Sequence, residues 1–164
     1  MERHEPIFYD IDPNTGRATP TSLASVRAAL LEEVPLLPEV AKGVADNLSA
    51  AIDRIGMACE RANAGDWAMF GLHNDAMIYI GRALELALKD RLGRKRGTLE
   101  QLTQRAIDEG LLQEKDRDWA WVLRTLRNSA AHDEEPNGGP PVAATLLRQV
   151  ARAVNGRYSP VGGV

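Results

Sequence analysis

The stretch VAKGVADNLSAAIDRIGMACERA, Val40 to Ala62, decides the fold. Its apolar positions Val40, Val44, Leu48, Ala51, Ile52, Ile55, Ala58, Cys59 and Ala62 recur three and four residues apart, the spacing that lines one face of a long α-helix. Such a face has to be buried against something. On its C-terminal side Gly65 is a natural stop, and Asp66 is expected to cap a second helix through Met69, Leu72, Ala76, Ile80, Ala83, Leu84, Ala87 and Leu88 to Gly93. Phe70, Met77 and Ile78 add apolar surface outside that stripe, so this helix is expected to be the most buried.

Working outward, a shorter helix is expected over Ser22 to Val34, with Leu23, Val26, Ala29 and Leu30 inward, and Pro35 and Pro38 separating it from the long one. Pro38 suits a first-turn position. Before it, DPNTG and two further prolines predict an irregular arm or a short hairpin around Pro13 to Gly16. Downstream, Thr98 with Gln101 has the spacing of a capping box and opens a helix through Leu99, Leu102, Ala106 and Ile107 to Gly110. Asp116 or Asp118 opens the next helix. DEEPNGGPP, 133–141, reads as a loop, then Val142, Leu146, Leu147, Val150 and Val154 mark a last helix, and NGRYSPVGGV reads as a frayed tail.

No alternating run is long enough for a sheet. The expectation is an all-α fold, an antiparallel bundle of five to six helices with an irregular N-terminal arm: 1–20 the arm, 21–155 the bundle, 156–164 a flexible tail. A chain of 164 residues is large enough to bury a core without staples. The single cysteine, Cys59, excludes an internal disulfide framework and a Cys-based zinc site and fits a reducing cytoplasm. No apolar run approaches membrane-spanning length, and MERHEPIFYD lacks the features of a secretory signal, so no membrane association is expected. The net charge of −3 excludes a globally basic nucleic-acid coat while leaving room for a local basic groove. The compact basic cluster is RLGRKRG, in which Arg91, Arg94, Lys95 and Arg96 read as a solvated connection or, alternatively, as phosphate-steering groups.

The polar groups that invite a chemical reading lie in RNSAAH, Arg127 to His132, on an otherwise core-forming helix. At about 100° per residue, Trp119, Val122, Leu123, Leu126 and Ala130 fall on a core stripe. Trp121, Arg124, Thr125, Asn128 and His132 fall opposite it, with Asn128 and His132 an i,i+4 pair. Arg127 lies on the shoulder between the two faces. A tryptophan on the outer face predicts a cover for it, and the four-three-four spacing from Trp121 through Thr125 and Asn128 to His132 is that of a seam between two helices. A homodimer joined along two such helices is therefore expected.

LRTLRNSAAH, preceded by RALELALKDRL and LEQLTQRAIDEGLL, resembles the HEPN superfamily over roughly Asp66 to His132. The resemblance implies a helical bundle that dimerises. In many members it also implies metal-independent endoribonuclease activity through an Arg, a polar neighbour and a His, matched here by Arg127, Asn128 and His132 in an R-x4-H arrangement. Related families also place an arginine at the position of Arg124. The resemblance further implies a toxin-antitoxin or phage-defence setting, with an antitoxin such as a nucleotidyltransferase as partner, and no cofactor.

The chemistry explains the residue types. Cleaving RNA without a metal needs a base for the 2′-OH, an acid for the leaving 5′-oxygen and a cation for the phosphorane. His132, with an ordinary pKa near 6.5, suits proton transfer, which contributes about 10²–10⁴-fold. Arg127 or Arg124 suits the phosphate. Asn128 suits the imidazole or the phosphate, and Trp121, Arg94, Lys95 and Arg96 complete the expected binding set. One protomer supplies one such histidine, so the dimer would supply the second. The competing expectation is a noncatalytic interaction or ligand-binding module, in which the same polar cluster is a solvated helix end and Asp133, Glu134 and Glu135 hold the arginines. His73 and Asp75 lack metal-ligand spacing, Ser129 lacks a triad, and Met57, Met69 and Met77 read as core fillers. Glu85 and Arg82 read as an intrahelical pair or as contacts to the motif helix.

Overall fold

The computed structural model describes residues 9–132 and 139–158. The arm is a hairpin, β1 (Tyr9–Ile11) paired antiparallel with β2 (Ala18–Pro20), with Asp10 opposite Thr19. Its turn closes where Gly16 N–H donates to the Asp12 carbonyl, and the Asp12 carboxylate accepts from Asn14 N–H at 2.8 Å. Among the described residues these are the only strands, and the remaining elements are α1 (Leu23–Glu33), α2 (Lys42–Asn63), α3 (Met69–Leu92), α4 (Leu99–Asp108), α5 (Asp116–Ala131) and α6 (Pro140–Tyr158).

The six helices form an antiparallel bundle with α3 at its centre, packed against α2, α4, α5 and α6. The apolar stripe of the long helix forms as its period predicts: Val44, Leu48, Ala51, Ile52, Ile55, Ala58 and Cys59 are buried, facing Ala76, Met77, Ile80, Ala83, Leu84, Ala87 and Leu88 of α3 within one core. The end signals also act as expected. Gly93 takes the left-handed conformation that closes α3, and Thr98 and Gln101 form a reciprocal capping box at α4.

Several boundaries differ from expectation. Pro38 sits in the turn between α1 and α2, not in a first helical turn, because α2 begins only at Lys42. Asp66 caps a turn, accepting from Ala68 N–H at 2.9 Å, and α3 starts at Met69. Pro140 and Pro141 open α6 instead of ending the loop, since the first helical turn has no intrahelical use for the N–H that proline lacks. The same helix runs to Tyr158, through the start of the expected tail. Ala29 is exposed, because α1 buries only Val26 and Leu30.

The α1–α2 contact is unusually close. Leu23 N–H donates to Glu60 at 2.6 Å, Arg27 pairs with Asp53, and Gly56 lies so near Leu23 that a Cβ there would be 2.9 Å from the Leu23 Cα. Asn155 of α6 then ties down the α1–α2 link, donating to the Pro35 carbonyl at 2.7 Å and accepting from Leu37 N–H at 3.1 Å. No helix among the described residues is long and apolar enough to cross a membrane.

Candidate functional site

Helix α5 is positioned by a small buried stripe. Ala120, Leu123 and Ala130 are buried, while Trp119 and Leu126 are half-buried against the core. Val122, expected inward, is exposed at 37%. Ala120, on the opposite flank of Leu123, is buried instead, so the buried face is turned toward the Ala120 side of the helix. Asp116 fixes the start of the helix by accepting from Gln113 N–H at 2.8 Å and from the Trp119 indole N–H at 2.9 Å.

The outer face is as the angular reading expects. Trp121 is 58% exposed, Asn128 and His132 are exposed, and Arg124 and Thr125 are half-exposed. The Thr125 hydroxyl donates back to the Trp121 carbonyl at 3.0 Å and so has no free proton for a ligand in this arrangement. His132 is the C-terminal cap residue, its N–H bonded to the carbonyls of Asn128 and Ser129 at 3.2 Å each. Among the described residues its imidazole makes no hydrogen bond, and none links it to the Asn128 side chain.

Arg127 goes the other way. Its methylenes lie on Gly81 of α3, and its guanidinium donates to Glu85 at 2.9 Å. Glu85 also accepts from Lys89 at 2.7 Å. Burial pushes the Glu85 carboxyl up, but the hydrogen bonds and charges of Lys89 and Arg127 outweigh it, and its pKa lies below the usual glutamate value. Within one protomer the structure therefore brings Arg127 to Glu85 and Lys89. Asn128 and His132 are left on the open face. Glu85 is thus both an intrahelical partner and a contact to the motif helix, whereas Arg82 is exposed.

Arg124 is held differently, by Glu100 of α4 at 2.6 Å. Glutamates of α3 and α4 are therefore what hold the two arginines among the described residues; Asp133, Glu134 and Glu135, expected in that role, lie outside them. The Arg124–Glu100 pair puts the start of α4 beside the middle of α5, and Arg117 bonded to Gln104 at 2.6 Å puts the middle of α4 beside the start of α5. The two helices run antiparallel. Between them lies a cleft of about 480 Å³, lined by Trp121, Arg124, Arg117, Arg105, Glu100 and Asp108 among others. Arg105 and Arg117 escape a sequence reading because each looks like half of a local pair on its own helix, and only the packing of α4 on α5 aims both at one space.

The loop carrying Arg94, Lys95 and Arg96 enters α4 at the end that meets Arg124, the side of the cleft toward His132. All three side chains are exposed and make no ion pair among the described residues. Gln101 lines both the main cleft and a smaller hollow beside Arg94 and Arg96, so the loop adjoins the cleft. Trp67, which sequence pattern gave no reason to single out, is exposed at the α2–α3 turn and stacks at a tilt on Phe70. Of the residues weighed as metal ligands, His73 is buried and Asp75 lies 3.9 Å from Arg54. No group of three or more His, Cys, Asp or Glu among the described residues is placed to hold a metal ion.

Residues 66–156 fit the family model described as a domain of unknown function, DUF4145, which spans the approach to α3 through most of α6. Neither the curated proteins nor the solved structures yielded a match.

Proposed function

Because the chain belongs to the DUF4145 family, whose description names no activity, we propose a function from the site itself: an HEPN-like homodimer that binds RNA and cleaves it without a metal. One observation carries the reading. Trp121, Arg124, Asn128 and His132 share the open face of α5, and Arg94, Lys95 and Arg96, which make no ion pair among the described residues, stand in the loop that enters the adjoining helix. Basic groups interleaved with an exposed aromatic are the elements that hold a single strand, by phosphate contact and by base stacking.

In the proposed dimer the two α5 helices meet at their His132 ends, which brings two copies of His132 together and leaves Trp121, eleven residues earlier, for the RNA strand to cover. One imidazole takes the proton of the 2′-OH as the 2′-oxygen attacks phosphorus. The other, protonated, gives a proton to the 5′-oxygen as the P–O5′ bond breaks, leaving a 2′,3′-cyclic phosphate and a 5′-hydroxyl. Of the two arginines, Arg124 is the better phosphate ligand, since its partner Glu100 is 67% exposed and swings into water at little cost, whereas Glu85 is 22% exposed. Arg127 is then a positioning residue, holding α5 on α3. A toxin or defence role, with an antitoxin such as a nucleotidyltransferase as partner, extends this proposal on the HEPN resemblance.

The test is RNA cleavage in EDTA by the wild type, His132→Ala, Arg124→Ala and Arg127→Ala, with molar mass from light scattering. The reading expects a dimer, loss of cleavage in His132→Ala, and weakened RNA affinity in Arg124→Ala. Cleavage that persists without His132, or that EDTA abolishes, rejects the mechanism, and a monomeric mass rejects the composite site. The engagement of Arg127 by Glu85 favours a second reading, a noncatalytic dimeric module whose open face binds a protein or ligand. RNA binding without cleavage, or neither, supports that one.

A further inference from the structure

We infer that the α4–α5 cleft is a subsite for one unpaired nucleobase together with a single phosphodiester. Its volume of about 480 Å³ falls within the roughly 300–1,000 Å³ typical of small-ligand pockets. The Trp121 indole, 58% exposed on its wall, offers a flat apolar face of the kind on which any base stacks.

The charges select the anion. Arg105, Arg117 and Arg124 line the cleft with Glu100 and Asp108, and Glu109 and Glu114 stand beside the first two arginines. Carboxylates that close to the guanidinium groups tolerate the single charge of a phosphodiester, which displaces one of them, and repel a polyphosphate. Each arginine is at present satisfied by a glutamate: Arg124 by Glu100 at 2.6 Å, Arg117 by Glu114 at 2.6 Å and Arg105 by Glu109 at 3.4 Å. All three glutamates are solvent-exposed, so an incoming phosphodiester exchanges one weak surface pair for a forked contact to a guanidinium. Arg105 and Arg117 are thereby assigned to ligand binding beyond the α5 face itself.

The chemistry rests on the cleft alone, and the choice of RNA as its source rests on the function proposed above. Trp121 and His132 are eleven residues apart on or at the end of α5, about 16 Å along the axis, so a base seated on Trp121 leaves the strand to reach His132 a few nucleotides on. A free cyclic mononucleotide carries the same base-plus-phosphodiester chemistry.

The test is binding of a fluorescently labelled 2′-O-methyl oligoadenylate, which lacks the attacking hydroxyl and stays intact, read by anisotropy, with 3′,5′-cyclic AMP and ATP as competitors. Wild type is compared with Trp121→Leu, Trp121→Phe, Arg105→Gln and Arg117→Gln, and thermal melts verify folding. The expected result is a loss of about tenfold in affinity for Trp121→Leu and for each arginine variant, with Trp121→Phe close to wild type because it keeps an aromatic face. Competition by cyclic AMP but not ATP supports the charge argument, and stronger competition by ATP overturns it. Oligonucleotide binding that none of the variants weakens overturns the subsite while leaving the RNA reading standing. If the wild type fails to bind the oligonucleotide but binds cyclic AMP, and Trp121→Leu abolishes that binding, the subsite is upheld and the RNA reading fails. Binding of neither probe overturns the subsite, whatever the cleavage assay shows.

Discussion

Arg127 reaches Glu85 by lying across Gly81, so a backbone position without a side chain on α3 is what admits the ion pair between α3 and α5. Glu85 accepts from both Arg127 and Lys89. Its carboxyl is pushed up by burial and pulled further down by those two cations, to a net value below the ordinary 4.5. The sign follows: a group with a lowered folded-state pKa contributes stability above its unfolded value, and that contribution is lost as pH falls through the lowered one. Glu85→Gln should therefore cost about 1 kcal/mol at neutral pH, a modest figure because the pair is partly solvated. It should also flatten the loss of stability below pH ~4.5. Urea titrations at several pH values check both, and an unchanged acid limb would show that Glu85 is not linked to folding.

A methyl group added at Gly81 would fall on the Arg127 Cδ and lie 3.0 Å from its Cγ. Alanine at a helix interior gains about 1 kcal/mol over glycine in propensity, whereas overpacking costs about 1–3 kcal/mol. The clash should win, so Gly81→Ala is expected to destabilise by about 1 kcal/mol. With Arg127→Ala in place the clash is gone and only the propensity gain is left. Gly81→Ala should then stabilise, and the sign reversal in a double-mutant cycle is the diagnostic.

Gly56 presents the harder case, since its neighbour is backbone. A Cβ there would sit 2.6 Å from the Leu23 Cδ1 and 2.9 Å from the Leu23 Cα, so α1 as a whole has to move. Gly56→Ala is expected to cost about 2–3 kcal/mol despite the better helix former, and to raise hydrogen exchange in α1 selectively. Exchange unchanged in α1 would show that the helix does not depend on this approach.

These two glycines mark where sequence reading stops. The stripes of α2 and α3, the Gly93 stop and the Thr98–Gln101 box were legible because each is a local pattern whose physics is complete within one or two turns. Gly56 and Gly81 look like weak points in helices until Leu23 and Arg127 are placed against them, which is information carried by partners far along the chain. The same holds at the candidate site. The outer positions of Trp121, Asn128 and His132 followed from helical angle, but the direction of Arg127, a long side chain on the shoulder, was decided by a glutamate on α3. Arg105 and Arg117 share a cleft only because α4 and α5 pack antiparallel. Pro140 and Pro141 misled because the same residue type that breaks a helix interior also suits its first turn.

His73 is buried in α3, its Nδ1 has no hydrogen-bond partner among the described residues, and burial pushes its pKa below the usual 6.5. The folded state therefore holds it neutral while the unfolded chain takes up a proton below about pH 6.5. Stability is fully present above that value and falls as pH drops from it toward the lowered folded-state pKa. His73→Leu removes both the unpaired nitrogen and the linkage. It should be at least as stable as wild type at pH 8 and lose less stability between pH 7 and pH 5, by denaturant titration. A variant with the wild-type slope over that window would assign the pH dependence elsewhere.

Cys59 is fully buried in α2, and burial first, then the neighbouring negative charge of Glu60, push its thiol up to about 12. The reactive thiolate is accordingly scarce at pH 8, and the sulfur is out of reach of a bulky reagent. Labelling of native protein by a disulfide-exchange reagent should therefore proceed only through opening of the α2–α3 core. Its rate should rise with urea in parallel with global unfolding, and Gly56→Ala, one turn away on the same helix, should speed it. Rapid labelling of the native wild type would mean that Cys59 is accessible and that the packing of α2 on α3 is looser than the close-packed core described above.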